Sequence, residues 1–549
     1  MVTTVLSLKN RNVYMSIYGE DNDIMKGHNA QSYIDADLQP PDMRRVNWKA
    51  APLRFKLYRG CEQIRCMYED VEQAGVPSTQ DLWQAHLGQL LSDIYGFTRQ
   101  QYGNLLYQSS AFQSEDSGET PVQELHTSLL RPVPSGGSLY PCELYLLVGP
   151  QGCFPAGIYH YDAAHHALDI LRQGDYSSAL QTSLAYSGDS LPIYTLLLSC
   201  FFWKDGFKYG AFGYRLQGLD CGAVIAQSEI IGGHYGLEAT VHYQFLDRAI
   251  DELLGLDPLH ESVYAVIDFA SLHQSVQKIS ETALAGLQEE APLLRPVPDA
   301  AQLESIARWP LPAVVHQASL FETRAAFSPP GSLPSIQSAA CQGSRSLPPP
   351  DASLNLWQAR HKRCSVAGTF RSEALSEEQL SNMLYATQHP SLNDIDGRTE
   401  LPQHTLLYCI VNHVQNIPPG IYCYQPAKHM LEIISPGEVQ QAFQEVLKWS
   451  EPKLFHIGVC LVPVARYQDG FQIYGDRWYR MQNMEAGIVV QRLYLAAAAL
   501  KLGCRASLGY HVSQMNRVLS LPEGYTSLIQ VLIAPERAAS HYYMQSLLM

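Results

Sequence analysis

The chain has 549 residues, of which 46% are hydrophobic and 17% are charged, and its formal net charge is −15. This composition supports sizeable hydrophobic cores and excludes global disorder. Nucleic acid is a poor partner for an acidic chain without a basic run, because phosphate binding requires clustered lysines and arginines. The sequence has neither a secretory pattern nor a long apolar run, so we expect a soluble, cytoplasmic protein.

The first part of the chain alternates between polar stretches and short apolar runs. Residues 1–50 predict an irregular leader, and apolar residues at helical spacing predict a helix over Gln80–Tyr95. The polar stretch Gly103–Leu130 predicts a loop, and Leu216–Gly232 predicts a helix rich in small residues. Strands are predicted at ELYLLV, GIYHYD, ALDIL, TLLLSCFF and AVIDFA.

The composition changes over residues 291–352, which are rich in proline and predict a linker with a short helix near Ala301–Trp309. Beyond the linker, helices are predicted at Ser376–Thr387 and Met481–Leu502, and strands at TLLYCIV, GIYCYQ, HIGVCLVPVA and SLIQVLIAP. Helices and strands mix without strict alternation, which favours an α+β fold with largely antiparallel sheets flanked by helices. The expected domains are residues 51–290 and 353–549.

One unit occurs twice in this chain. Tyr145 and Tyr408 stand 263 residues apart in similar surroundings, and KYGAFGYR from Lys208 recurs as IYGDRWYR from Ile473, 265 residues later. A drift of two residues over this length indicates two copies of one fold, and the period is too long for a solenoid repeat. The sequence therefore predicts a pseudo-dimer within one chain, in which a shared site can be built from unlike halves.

The segment RPVPSGGSLYP, Arg131–Pro141, places two glycines beside serine and proline. Such a loop exposes backbone amides that suit a flat polar ligand or a phosphate, although a surface turn before a strand has the same composition. Followed by ELYLLV and GIYHYD, it resembles the P-S-A-G-x-L-Y-P-x-E-L-Y signature of SagB-type dehydrogenases in the FMN-dependent nitroreductase superfamily. The resemblance covers roughly residues 50–290 and 355–540 and implies two nitroreductase-like domains in tandem. It also implies that the loop contacts FMN through Pro134, Ser135, Gly136 and Gly137.

A second segment, RHKRCSVAGTFRS, resembles the family's R-R-S-x-R-x-F stretch, which holds the FMN phosphate. Arg363 and Ser365 match, and an arginine fork and a hydroxyl suit phosphate oxygens. The second family arginine is absent, since Ala367 and Gly368 occupy its place. Arg537 could compensate, as could Arg360 or Lys362; without the resemblance, the segment would be a solvated basic patch.

A third segment, CRASLGYH, matches the family at Leu508 and Gly509, where backbone amides approach the flavin N5 region. A glycine at the edge of a strand is the alternative interpretation. The first copy has LEATVHYQF at this place, and the second copy has RTELPQHTLLY in place of the glycine loop. Each copy thus retains what the other has lost, which predicts one FMN bound between the halves.

Lys208 and Tyr209 resemble a Lys-Tyr pair that SagB-type azoline dehydrogenases carry near the flavin. A lysine can act as a general base where burial lowers its pKa, whereas an ordinary surface lysine is the alternative. The twelve cysteines and nineteen histidines lack the spacing of a metal site, so we expect none, and the cysteines are predicted to be free thiols.

The resemblance implies an FMN-dependent oxidoreductase that converts thiazoline or oxazoline rings of a ribosomal peptide to thiazole or oxazole, as cyanobactin oxidases do. Hydride would pass to flavin N5, and oxygen would reoxidise the flavin. The implied partners are the azoline peptide, a cyclodehydratase and a second copy of the chain. Two other functions stay open: an NAD(P)H-dependent nitro- or enone-reductase, and a flavin-free scaffold that presents peptide to a cyclodehydratase.

Overall fold

The structure is a computed structural model, which describes residues 46, 51–66, 79–104, 125–150, 152, 154–186, 192–271, 310–338, 341–351, 353–366, 369–388, 391–399, 404–448, 454–537 and 542–546. The predicted leader, apart from Val46, and the short helix predicted near Ala301–Trp309 lie outside these residues. We call residues 51–271 the first half and residues 341–546 the second half.

The described helices are α1 (Thr79–Tyr95), α2 (Ser177–Ser183), α3 (Trp203–Tyr209), α4 (Gly213–His234), α5 (Asp247–Leu254), α6 (Pro310–Ala318), α7 (Leu356–Ala359), α8 (Glu377–Ala386), α9 (Gln440–Val446), α10 (Tyr467–Tyr474), α11 (Arg477–Ala499) and α12 (Val512–Val518). The described strands are β1 (Gln63–Arg65), β2 (Arg99–Asn104), β3 (Leu125–Leu130), β4 (Cys142–Val148), β5 (Gly157–Asp162), β6 (Ala167–Gln173), β7 (Tyr194–Phe201), β8 (Leu237–His242), β9 (Glu261–Ser271), β10 (Ser344–Ser346), β11 (Thr369–Phe370), β12 (Ser391–Asn393), β13 (Gly397–Thr399), β14 (Leu406–Val411), β15 (Gly420–Gln425), β16 (Met430–Pro436), β17 (Val459–Ala465), β18 (Gly503–Ser507), β19 (Thr526–Ser527), β20 (Gln530–Ala534), β21 (Glu536–Arg537) and β22 (Tyr542–Ser546).

Two large sheets have the same strand order. The first runs β1-β6-β5-β4-β7-β9-β8 and is extended by β12 and β13; the second runs β10-β16-β15-β14-β17-β20-β18. Central strands such as β4 and β17 are buried along their whole length, as continuous apolar runs of strand length predict. Every pairing in these sheets is antiparallel except that of β12 with β8. The repeated sequence thus folds twice, and the predicted α+β tandem fold is confirmed.

Helices α4 and α11 cross at the interface between the halves. A Cβ atom on Gly222 would overlap the backbone carbonyl of Met484, and one on Gly487 would lie 3.0 Å from the Gly222 Cα. The rings of Tyr214 and Tyr479 stack with centroids 6.1 Å apart and planes 6° apart. Each of these contacts joins residues at equivalent or neighbouring positions of the two copies, as a two-fold axis requires. The crossing is therefore the centre of the pseudo-dimer.

The halves are also joined by a buried ion group and by exchanged strands. Asp247 of the first half binds Arg477 at 2.6 Å and Arg480 at 2.5 Å, with all three side chains at most 1% exposed. The hairpin β12–β13 of the second half extends the first sheet beside β8, and β22 pairs with β2. Strands of the second half therefore complete sheets of the first half.

Two sequence interpretations differ from the structure. The ends of the loop predicted over Gly103–Leu130 lie in strands β2 and β3, because these strands pair with each other and β2 also pairs with the distant β22. The predicted linker contains α6 and β10, and β10 pairs with β16 and so belongs to the second sheet. The domain boundaries 51–290 and 353–549 stay a prediction.

Two further observations concern the class of protein. Among the described residues, no helix combines the length and the apolar character needed to cross a membrane. The eleven cysteines in the described part of the chain are free, as expected from their spacing.

Candidate functional site

The glycine loop has an unusual backbone. Gly137 has φ +62°, and the non-glycine residues Ser138 and Tyr140 have φ +56° and +51°. Non-glycine residues seldom adopt this region, and strained residues of this kind cluster at binding and active sites. The loop is therefore held in its shape by its surroundings.

Helix α4 is hydrogen-bonded to the glycine loop through Asp220. The Ser135 hydroxyl donates to Asp220 Oδ2 at 2.5 Å and accepts from the Tyr140 N–H at 2.8 Å, and the Gly136 N–H donates to Asp220 Oδ1 at 3.3 Å. Burial raises the pKa of Asp220 to about 7, and the hydrogen bonds from Ser135 and Gly136 oppose this shift. Leu216 lies one turn before Asp220. A Cβ atom on Gly136 would lie 3.1 Å from Leu216 Cδ1. Ser135 thus supports the loop with its side chain.

Lys208 and Tyr209 at the end of α3 lie against the same loop. A Cβ atom on Gly137 would lie 2.5 Å from Lys208 Nζ and would overlap the Tyr209 hydroxyl, so the ends of both side chains lie directly against the loop backbone. Burial lowers the pKa of Lys208, and the charge of Asp205 opposes that shift. The structure therefore brings the predicted Lys-Tyr pair to the predicted loop.

Arg363 of the second half contacts the beginning of the loop segment. Its Nη2 donates to the Arg131 carbonyl at 3.0 Å, and its guanidinium lies 5.4 Å from the centre of the Tyr494 ring. The side chain is buried, and Nε and Nη1 have no hydrogen-bond partner among the described residues. Buried donors of this kind need an acceptor, and a phosphate provides one for two nitrogens of one fork.

Tyr494 on α11 connects Arg363 to the strand that precedes Gly509. Its hydroxyl shares a hydrogen bond with the Ser365 hydroxyl at 3.0 Å and accepts from the Ala506 N–H at 2.8 Å. The Gly509 N–H donates to Ser507 Oγ at 3.0 Å, and Leu508 is buried. The segment from Arg363 to Ser365 therefore lies beside the end of β18.

The three residues that could replace the missing family arginine differ in their surroundings. Arg360 pairs with Asp93 at 2.9 Å and lies 4.1 Å from the centre of the Trp357 ring, so it is engaged with the first half. Lys362 is exposed. Arg537 is also exposed and lies in β21 opposite Thr369 of β11. Ala367 and Gly368 lie outside the described residues.

Two groups of predicted residues thus form around the interface between the halves. The first comprises Pro134, Ser135, Gly136 and Gly137 with Lys208 and Tyr209, and the second comprises Arg363, Ser365, Leu508 and Gly509. The bond from Arg363 to Arg131 joins the second group to the segment Arg131–Pro141, which contains the glycine loop of the first group. Arg215, beside Leu216, also donates to the carbonyls of Ser527 and Leu528 in the second half.

The mirror position, where the repeat would place a second site, is filled by the chain itself. Tyr243 and Gln244 stand 265 residues before Leu508 and Gly509. Their N–H groups donate to the carboxylate of Asp394 at 2.9 and 2.8 Å, and the Gln244 side chain donates to the Asp394 carbonyl at 2.7 Å. Asp394 lies in the turn between β12 and β13 and is 3% exposed. No motif in the sequence indicated this residue.

The carboxylate equivalent to Asp220 also has new partners at the mirror position. Glu485, 265 residues after Asp220, accepts from Thr405 Oγ1 at 3.1 Å and from Gln482 Nε2 at 2.9 Å. Burial raises the pKa of Glu485 to about 7, as it does for Asp220. The supporting carboxyl is therefore retained while the glycine loop above it is replaced.

Comparison with known proteins shows similarity to nitroreductases in the second half and in the overall fold. Residues 361–534 match the family model described as the nitroreductase family. The structure is similar to the crystal structure of a protein from Anabaena variabilis ATCC 29413 that is described as a nitroreductase. The TM-score is 0.70 at 24% identity, over 92% of this chain and 99% of that chain, which shows a common fold.

Two relatives share part of the sequence. The trifolitoxin-processing protein TfxB of Rhizobium leguminosarum bv. trifolii is 31% identical over 140 residues, 24% of this chain and 38% of that protein. The microcin B17-processing protein McbC of Escherichia coli is 31% identical over 156 residues, 27% of this chain and 53% of that protein. The chain thus spans about half or less of each relative. The match of residues 361–534 to the nitroreductase family model agrees with the resemblance found in the sequence.

Proposed function

We propose that this chain is an FMN-dependent dehydrogenase that oxidises thiazoline or oxazoline rings of a ribosomally made peptide, and that one FMN binds between the halves. The observation that carries the proposal is the contact of Arg363 with Arg131, which joins the second half's phosphate-type arginine to the first half's glycine loop. The similarity to two proteins whose names describe the processing of trifolitoxin and microcin B17 supports the substrate class. The proposal includes a cyclodehydratase as a partner, since azoline rings arise when a cysteine, serine or threonine side chain attacks the preceding backbone carbonyl and the carbonyl oxygen is lost as water.

The residues at this site fit FMN. Nε and Nη1 of Arg363, which have no partner among the described residues, and the hydroxyl of the exposed Ser365 suit its phosphate, and exposed Arg537 lies in β21. The loop Pro134–Gly137 and the backbone at Leu508 and Gly509 would contact the ring system. When bound, FMN supplies the two-electron chemistry by accepting hydride and being reoxidised by oxygen, while the protein supplies placement and proton transfer.

Lys208 is the residue best suited to remove a proton from the substrate. The Cα–H of an azoline ring is acidified by the adjacent C=N bond, so a neutral amine can take this proton. Burial favours the neutral form of Lys208 because it lowers the pKa of the ammonium group. Burial instead raises the pKa of Tyr209, which makes Tyr209 a proton or hydrogen-bond donor rather than a base near neutral pH.

Replacing Lys208 by alanine is expected to leave FMN content unchanged and to lower turnover on the order of 100-fold, as loss of a general base does. The assay incubates purified protein with FMN and azoline peptides and follows the loss of two daltons per ring by mass spectrometry. Lys428→Ala, at an exposed lysine between β15 and β16, is the control and should keep full activity. Absence of the mass change across varied azoline peptides would contradict the proposal, and rapid bleaching of the flavin by NADPH would favour a nitro- or enone-reductase.

One FMN per chain is the expected stoichiometry, because Asp394 occupies the backbone amides at the mirror position. The measurement is acid release of the cofactor, with flavin absorbance compared with protein concentration. Asp394→Ala should lower stability without adding a second flavin, since the first half offers no match to Arg363 and Ser365. Two flavins per chain would refute the assignment, and a colourless protein that cannot be loaded would favour the scaffold function.

A further inference from the structure

Asp205 on α3 is a buried carboxyl with no assigned role in the site. The residue is 0% exposed, and neither carboxyl oxygen has a hydrogen-bond partner among the described residues. A buried ionised carboxylate without partners is costly, and such a group either takes up a proton or pairs with a cation. The position of Asp205 indicates which cation is concerned.

Asp205 and Lys208 are three residues apart on α3, so their side chains lie on one face of the helix. The start of α4 packs against this face, since a Cβ atom on Gly213 would lie 3.1 Å from the Asp205 Cβ. Asp220, further along α4, is the second carboxyl in this region. Asp205 thus lies near both the candidate base and the carboxyl that supports the glycine loop.

The charged and titratable groups around Asp205 are few. They are Lys204 and Lys208 on α3, Asp220 on α4, Tyr209 at the end of α3, and the thiols of Cys142 and Cys200. Lys204 already pairs with Glu143 at 2.5 Å. Lys208 is therefore the remaining cation beside Asp205, and the like charge of Asp220 disfavours ionisation of Asp205. Burial and the charge of Asp220 raise the pKa of Asp205, while Lys208 and Lys204 oppose the shift.

We propose that Asp205 is a positioning residue that sets the charge of Lys208: the ionised Asp205 carboxylate favours the Lys208 ammonium, and protonation of Asp205 favours the uncharged amine. The inference rests on the proposed function and names the protonation control of its base. In the reaction, the amine lone pair of Lys208 takes the ring Cα proton, and the electron pair of the broken C–H bond stays on the ring. The ammonium then returns its proton to solvent through the partly exposed lysine side chain.

Competitive acetylation of the intact protein with trace acetic anhydride tests this inference without requiring azoline oxidation. Mass spectrometry of the labelled peptides gives the pH midpoint of each lysine. In the unmodified chain, the midpoint of Lys208 should lie below that of exposed Lys428, which serves as an internal control. In Asp205→Asn the midpoint should fall further, on the order of one pH unit, because the carboxylate that favours the ammonium is absent. At a pH below the Lys208 midpoints of both proteins, Lys208 of Asp205→Asn should then be acetylated about tenfold faster than Lys208 of the unmodified chain.

Activity provides a second readout if the peptide is oxidised. The acid limb of kcat/KM should move to lower pH in Asp205→Asn by the same interval, while FMN content stays unchanged. A Lys208 midpoint that equals that of Lys428, or one that does not fall in Asp205→Asn, would overturn the inference. The first of these outcomes needs no variant and so does not depend on how Asp205→Asn folds. If the labelling shift is observed but no azoline peptide is oxidised, the proposed function is refuted and the inference about Asp205 is not.

Discussion

Replacing Gly222 by alanine is expected to destabilise the chain by about 3 kcal/mol or more, because the added methyl group would overlap the Met484 backbone carbonyl. A backbone atom cannot move aside as a flexible side chain can, so α4 and α11 would have to separate. Gly487 packs against the same turn of α4 and would lose its contact as well. Thermal unfolding followed by circular dichroism should show a fall in Tm of roughly 5 °C or more.

Gly233→Ala is the matched control for this change. Gly233 lies in the same helix but is exposed, and an added Cβ atom would have no atom within 4 Å. Alanine is the better helix former by roughly 0.8–1 kcal/mol, so stability should stay the same or rise slightly. Since the candidate site lies beside the crossing, Gly222→Ala should also release FMN more readily. Equal stability of the two variants would show that the helices do not cross as closely as described.

Replacing Arg363 by alanine is expected to weaken FMN binding about 100-fold or more. The substitution removes two buried donors, Nε and Nη1, that have no partner among the described residues. Each charge-assisted hydrogen bond to a phosphate contributes roughly 1.5–3 kcal/mol, and loss of the fork removes both. Titration of the apoprotein with FMN, followed by quenching of flavin fluorescence, measures the effect.

Two further arginine variants separate the phosphate contact from a general loss of charge. Arg363→Lys keeps the charge but not the fork, so an intermediate loss of about tenfold is expected. Arg371→Ala removes an exposed arginine whose partner is Glu373 at 3.2 Å, and it should leave FMN binding and stability nearly unchanged. If Arg363→Ala bound FMN as the unmodified chain does, the phosphate would have to bind elsewhere.

The repeat in the sequence determined more of this protein than any single motif. Equivalent residues such as Tyr214 and Tyr479 were visible at a constant spacing, and the structure stacks them on each other at the interface. The loss of complementary segments from the two copies predicted one site between the halves, and Arg363 does contact the loop segment at Arg131. The binding and catalytic roles of these residues stay predictions.

Some features could not be predicted because they depend on partners that are distant in the sequence. The predicted loop was polar as a whole, yet β2 and β3 at its ends pair with each other, and β2 also pairs with β22, more than 400 residues away. Asp394 has no motif around it, and its importance follows only from the N–H groups of Tyr243 and Gln244 that it binds. Asp205 looks like an ordinary helix residue until its burial is known.

The sequence by itself determined that two copies of one α+β unit are present and which segments each copy retains. These properties follow from local composition, hydrophobic periodicity and spacing, all of which are visible in the sequence alone. Only the tertiary structure decided which buried groups meet: Arg363 with the loop segment, Asp394 with the mirror amides, and Asp205 with the start of α4. Contacts of this kind depend on how the halves pack, and burial then sets the charge of the groups that they enclose.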